Sequence, residues 1–131
     1  MISMSPTVKH LVLIGGGHSH LAVLKHLGMK PVPGLAVTLI SRDINVPYSG
    51  LLPGFLSGIY GAEEMHIDLR PLAQFAKARI IQADITDINL GAKEIIIPSR
   101  PNVSFDILSL NIGSEPNLSS LPGTQDHAVP I

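Results

Sequence analysis

The chain has 131 residues, is 45% hydrophobic and 15% charged, and carries a formal net charge of −1; it can bury one core, and it has no basic field to gather nucleic acid or an anionic membrane. It contains no cysteine, which excludes disulfides, thiolate nucleophiles and cysteine-held zinc or iron-sulfur centres and makes the cytoplasm the default expectation. After the basic pair Lys9 and His10 only four apolar residues, 11–14, stand before Gly15, too few for a signal-peptide core or a membrane span.

That short run, LVLI, predicts a strand covered on both faces. From His18 onward Leu21, Leu24 and Leu27 recur at helical spacing, with Gly28 placed to close the helix and Pro31 forbidding its continuation. The segment LAVTLIS, 35–41, predicts a second strand of the buried type, so the first forty or so residues make one βαβ unit. Next comes a Gly-, Pro- and Ser-rich stretch that predicts a loop and a short helix over 49–57 with its apolar residues turned inward. A further helix is expected over 70–77. Three strand-like runs follow, RIIQADITDINL, KEIIIP and FDILSLNIG, the first two joined by a hairpin-like turn and the third returning to the parallel sheet. The tail beyond Gly113 has no periodicity. The expected fold class is α/β, a three-layer Rossmann-type domain with a parallel sheet and a small antiparallel excursion over 85–97.

The chemistry sits in IGGGHSH. A tight glycine turn from a strand into a helix leaves backbone N–H groups pointing outward with the helix dipole behind them, which is an anion site. Gly15 permits the turn, and Gly17 keeps a Cβ out of the way of a pyrophosphate; the third glycine of the dinucleotide fingerprint is replaced by His20. The residue expected to serve the ribose hydroxyls, an acid at the end of the second strand, is here Ser41, followed by Arg42 and Asp43. Arg42 suits a nucleotide 2′-phosphate and so NADP, whereas Asp43 suits a ribose; periodicity does not choose between them. His18 and His20 point to different sides of a starting helix and make no metal site, while His18 or Ser19 suits a helix-start hydrogen-bonding role. His66 reads as a satisfied loop histidine, and Glu63 and Glu64 as an exposed helix-start pair.

Taken together, GGGHSH, LISRD, PYSGLLPG, HIDLRPLA and FDILSLNIGSEP resemble the N-terminal part of the pyridine nucleotide-disulfide oxidoreductase superfamily in its type II NADH dehydrogenase-like branch. Their narrower likeness is to the flavoprotein module fused ahead of selenide, water dikinase. The resemblance implies FAD, with Gly15, Gly17, His18 and Ser19 around its pyrophosphate and Ser41, Arg42 and Asp43 beside the adenosine ribose. It places Tyr48 and the YSGLLPG loop toward the flavin, the backbone of Asp84 and Ile85 at adenine, and Asn111 to Gly113 at the family's ATG strand end. Ser41 and His20 depart from the family pattern. The resemblance also implies an NAD(P)H donor, partners in the rest of a longer polypeptide, and one flavin-binding domain, residues 1–131, cut short before the NAD(P)H domain and the returning segment. Without cysteine there is no dithiol beside a flavin, so electrons would pass to another acceptor. No residue offers itself as catalytic acid, base or nucleophile. An NADP-binding module and a non-catalytic interaction domain that keeps the fold are the alternative readings.

Overall fold

Strand β1, Lys9–Ile14, sends alternate side chains to opposite faces of a sheet, and each face is covered by a different layer. The computed structural model describes residues 8–112 and 120–127. Helix α1, His18–Met29, follows the glycine turn and returns the chain to strand β2, Leu35–Ser41, which pairs parallel with β1 from Lys9↔Leu35 to Ile14↔Ile40. Gly28 does not close α1 but lies inside it. The helix ends one residue later and Lys30 caps it, its N–H donating to the His26 carbonyl at 2.8 Å. The glycine serves packing instead, because a Cβ there would run into the ring of Phe75.

The Gly- and Pro-rich stretch contributes strand β3, Asn45–Pro47, a 3-10 turn over 49–51, helix α2, Leu52–Leu56, and strand β4, His66–Asp68, antiparallel to β3. The short helix falls where it was expected. Its apolar residues do not all turn inward: Leu56 is 73% exposed, and Ile59 just beyond the helix is 77% exposed. Helix α3, Leu69–Phe75, starts at Asp68, whose carboxylate accepts the Arg70 N–H at 3.0 Å as an N-cap.

Strand β5, Arg79–Gln82, joins the parallel sheet beside β2 with Thr38 opposite Arg79. Strands β6, Asp87–Asn89, β7, Glu94–Ile96, and β8, Val103–Ser104, make a separate antiparallel sheet. Strand β9, Ile107–Leu110, returns to the parallel sheet on the far side of β1, and the described part of the tail holds the short helix α4, Thr124–His127. The parallel order is β5-β2-β1-β9.

Three layers result. Val12, Ile14, Ile40 and Ile81 pack on one face against Ile95, Ile97 and Phe105 of the antiparallel layer. Leu13, Val37 and Leu39 pack on the other against Leu24 and Leu27 of α1 and Leu69 of α3. Truncating a side chain as fully buried as Leu13, Leu24 or Leu39 to alanine costs ~2–5 kcal/mol through lost transfer energy and the cavity left behind. Both layers therefore fix the position of the β1–α1 turn.

Candidate functional site

In the order β5-β2-β1-β9 the chain leaves β1 toward β2 on one side while β9 lies on the other, so the β1–α1 turn stands at the switch point where a parallel sheet opens a crevice. Gly15 takes φ +96°, a left-handed conformation that glycine adopts without a Cβ penalty. Its N–H donates to the Ile40 carbonyl at 2.8 Å, which ties the turn to β2.

Asn111, just past β9, closes on the turn from the other side. Its carbonyl accepts the Gly17 N–H and its Oδ1 accepts the Ser19 N–H, both at 3.1 Å. The Asn111 carboxamide also fills the space that a Cβ on Gly17 would occupy. Gly17 is thus required by a protein side chain, where the sequence suggested open space for a pyrophosphate. Gly16 is close-packed as well: a Cβ there would meet Val46 and Leu69. What the turn still offers are the Gly16 and His18 amides, which have no partner among the described residues, at the positive end of a helix of twelve residues. Those two donors remain for an anion such as a phosphate group, while the Ser19 amide is taken by the Asn111 carboxamide.

His20, at the third-glycine position, points into the contact between the helix and the sheet. It is 1% exposed and bridges the two elements, Nδ1 lying 2.7 Å from the Gly15 carbonyl and Nε2 2.8 Å from Ser109 Oγ. A carbonyl can only accept, so Nδ1 donates to Gly15, and Nε2 pairs with the Ser109 hydroxyl. His18 makes no capping bond; its ring meets Tyr48 edge to face, centroids 4.0 Å apart and planes at 63°. Tyr48 is buried, its hydroxyl has no partner among the described residues, and desolvation raises its pKa.

The ribose end is arranged differently from the expectation. The Ser41 hydroxyl donates to the Asp43 carbonyl at 2.7 Å, so service to a ribose requires that bond to break. Arg42 Nε donates to Asp84 Oδ1 at 2.9 Å, an exposed pair joining the ends of β2 and β5 and competing with any 2′-phosphate. Such exposed pairs contribute only ~0–1 kcal/mol, so either partner is readily redirected. The Asp43 side of this end borders a polar cleft of about 350 Å³ shared with Asn45, Arg70 and Gln82, the last unmarked by any sequence motif. Ile85 packs against the antiparallel layer, and Gly113 lies outside the described residues. His66 Nδ1 is satisfied by the Ala62 carbonyl at 2.9 Å, and no metal-binding group of three His, Asp or Glu occurs among the described residues. In the YSGLLPG loop the ring of Tyr60, also unmarked by the sequence, lies over Gly54 and its hydroxyl donates to the Leu51 carbonyl.

A parallel sheet in this order, with a glycine turn into a long helix at its switch point, is the Rossmann-type fold of FAD/NAD(P)-binding oxidoreductases. The chain is similar to the NADH dehydrogenase-like protein YutJ of Bacillus subtilis, with 27% identity over 125 residues that cover 95% of this chain and 34% of that protein. It is also similar to the external alternative NAD(P)H-ubiquinone oxidoreductase B4, mitochondrial, of Arabidopsis thaliana, with 26% identity over 92% of this chain and 22% of that protein. Among solved structures, NDH2 from Plasmodium falciparum in complex with NADH superposes with a TM-score of 0.75 at 20% identity, over 92% of this chain and 25% of that one. The sulfide:quinone oxidoreductase of Aquifex aeolicus superposes with a TM-score of 0.68 at 26% identity, over 81% and 24%. No family model matches the chain. It therefore spans about a third or less of the relatives it resembles. These relatives are NADH dehydrogenase-like and give no support to the narrower likeness to a module fused to selenide, water dikinase. Among the described residues no helix is long and apolar enough to cross a membrane.

Proposed function

We propose that the chain is the first flavin-binding portion of an NAD(P)H-dependent flavoprotein oxidoreductase. The observation that carries this reading is the pair of unpartnered amides, Gly16 and His18, at the start of α1 between β1 and β9. FAD binds with its pyrophosphate at these amides and at Ser19, and its adenosine runs toward Arg42, Asp43 and the Asp84–Ile85 backbone. Tyr48, held against His18, flanks the cofactor's central part. When bound, FAD supplies the redox chemistry, accepting a hydride equivalent from a nicotinamide donor; this chain's own residues bind, orient and shield. The NAD(P)H domain, the returning segment and the acceptor site belong to the rest of a longer polypeptide. Adding FAD, NAD or NADP at saturating concentration and following the melting temperature tests the reading, because a ligand that prefers the folded state must stabilise it. A rise with FAD larger than with either nicotinamide nucleotide supports it. A rise with NADP alone assigns the turn to that cofactor, and no rise with any of the three leaves an interaction domain that keeps the fold.

A further inference from the structure

At the end of the sheet opposite the glycine turn, the parallel and antiparallel layers part. His10 near the start of β1, Thr38 of β2 and Arg79 at the start of β5 face the antiparallel side there; Thr38 pairs with Arg79, and His10 stands two residues before Val12, the β1 partner of Thr38. The segment between β7 and β8 brings Arg100 and Asn102 to the same place, and β8 brings Ser104. Between these residues lies a cleft of about 360 Å³, within the size range of small-molecule sites.

Its electrostatics are one-sided. No acidic residue lines the cleft, and neither Arg79 nor Arg100 forms an ion pair among the described residues. Both neighbouring carboxylates are already engaged: Glu94 accepts from Asn102 Nδ2 at 2.9 Å, and Asp106 accepts the His10 N–H at 2.7 Å. Arg100 Nε is shut away from solvent and has no hydrogen-bond partner among the described residues. A guanidinium cannot shed its charge by deprotonation, and its planar fork matches the two oxygens of a carboxylate or phosphate.

We propose that this cleft is a second ligand site that takes an oxyanion, a phosphoryl or carboxylate group on a compact metabolite, between Arg100 and Arg79. Thr38 and Ser104 supply neutral hydroxyls beside the two cations. The site is independent of the flavin reading, since it shares no residue with the glycine turn.

Isothermal titration of the 131-residue chain with inorganic phosphate, and separately with malonate, in chloride buffer tests it. Saturable binding of either anion, weakened at least tenfold in Arg100→Gln and in Arg79→Gln while the FAD titration is unchanged, supports the site, and the anion bound more tightly identifies phosphoryl or carboxylate chemistry. Arg100→Lys keeps the charge without the fork, is expected to weaken binding several-fold, and decides the matter should Arg100→Gln not fold by circular dichroism. Binding that survives Arg100→Gln and Arg79→Gln places the anion at the α1 amides and overturns the proposal, as does failure of both anions to bind.

Discussion

The ring of His20 joins Gly15 to Ser109: Nδ1 lies 2.7 Å from the Gly15 carbonyl and Nε2 2.8 Å from the Ser109 hydroxyl, with the side chain 1% exposed. Helix α1 is thereby tied to the end of β1 and to β9 at the position where a dinucleotide fold more often has glycine. His20→Gly restores the fingerprint and removes this tie. It leaves the buried Gly15 carbonyl and the half-buried Ser109 hydroxyl without their partner, at up to ~1–3 kcal/mol each, and adds the entropic cost of a helical glycine. The variant is expected to be less stable by about 3 kcal/mol in urea unfolding. Stability equal to the parent's would show that the bridge contributes nothing.

Asn111 occupies the turn much as a ligand would. Its side chain takes the Ser19 N–H and covers Gly17, so a pyrophosphate must displace it. Asn111→Ala is expected to move two quantities in opposite directions. Losing the cap on Ser19 lowers the stability of the unliganded chain by ~1 kcal/mol. Freeing the amide strengthens FAD binding by roughly tenfold, the equivalent of one hydrogen bond to a charged group. Flavin fluorescence quenching measures the second effect; unchanged or weaker binding would mean that the carboxamide does not compete for the cofactor's place.

The β1–α1–β2 crossover was legible because unbroken apolar runs and helical spacing are local, and Gly and Pro punctuate them. Strands of two or three residues such as β3, β4 and β8 were not, since pairing across the chain makes them and Pro47 argues against a strand. The apolar residues of 49–57 read as inward-facing, yet Leu56 is exposed, because composition records hydrophobicity and not what lies opposite. The site divides the same way. The glycines marked where the turn is, but the side chain that fills it, Asn111, stands 92 positions beyond Ser19. His20 broke the fingerprint in sequence, and only the neighbouring Ser109 explains it.

Two carboxylates make stability depend on acid pH. The His10 N–H beside Asp106 holds its pKa below the usual carboxylate value, and the Arg70 side chain and amide do the same for Asp68. Each pKa is lower folded than unfolded, so the stabilisation is complete above the unfolded value and is lost as pH falls through the folded one. The urea midpoint of the parent should therefore fall below about pH 4 more steeply than that of Asp106→Asn, while the two curves run parallel near neutrality. Equal steepness at acid pH would remove Asp106 from the account.

Gly28 and Phe75 set the closeness of α1 and α3. In an exposed helix, replacing glycine by alanine gains ~0.5–1 kcal/mol. Here the new methyl group would meet the Phe75 ring at Cγ as well as Cδ1 and Cε1, so the whole ring must leave rather than tilt. Overpacking of this kind costs ~1–3 kcal/mol and outweighs the helical gain, so Gly28→Ala is expected to destabilise by about 1 kcal/mol. Phe75 is 51% exposed, so Phe75→Ala alone leaves the core intact, and in that background Gly28→Ala should instead stabilise by ~0.5–1 kcal/mol. The sign reversal gives a coupling of about 1–3 kcal/mol in a double-mutant cycle followed by urea unfolding. Stabilisation by Gly28→Ala in both backgrounds would place the ring elsewhere in solution and free the helix pair to sit farther apart.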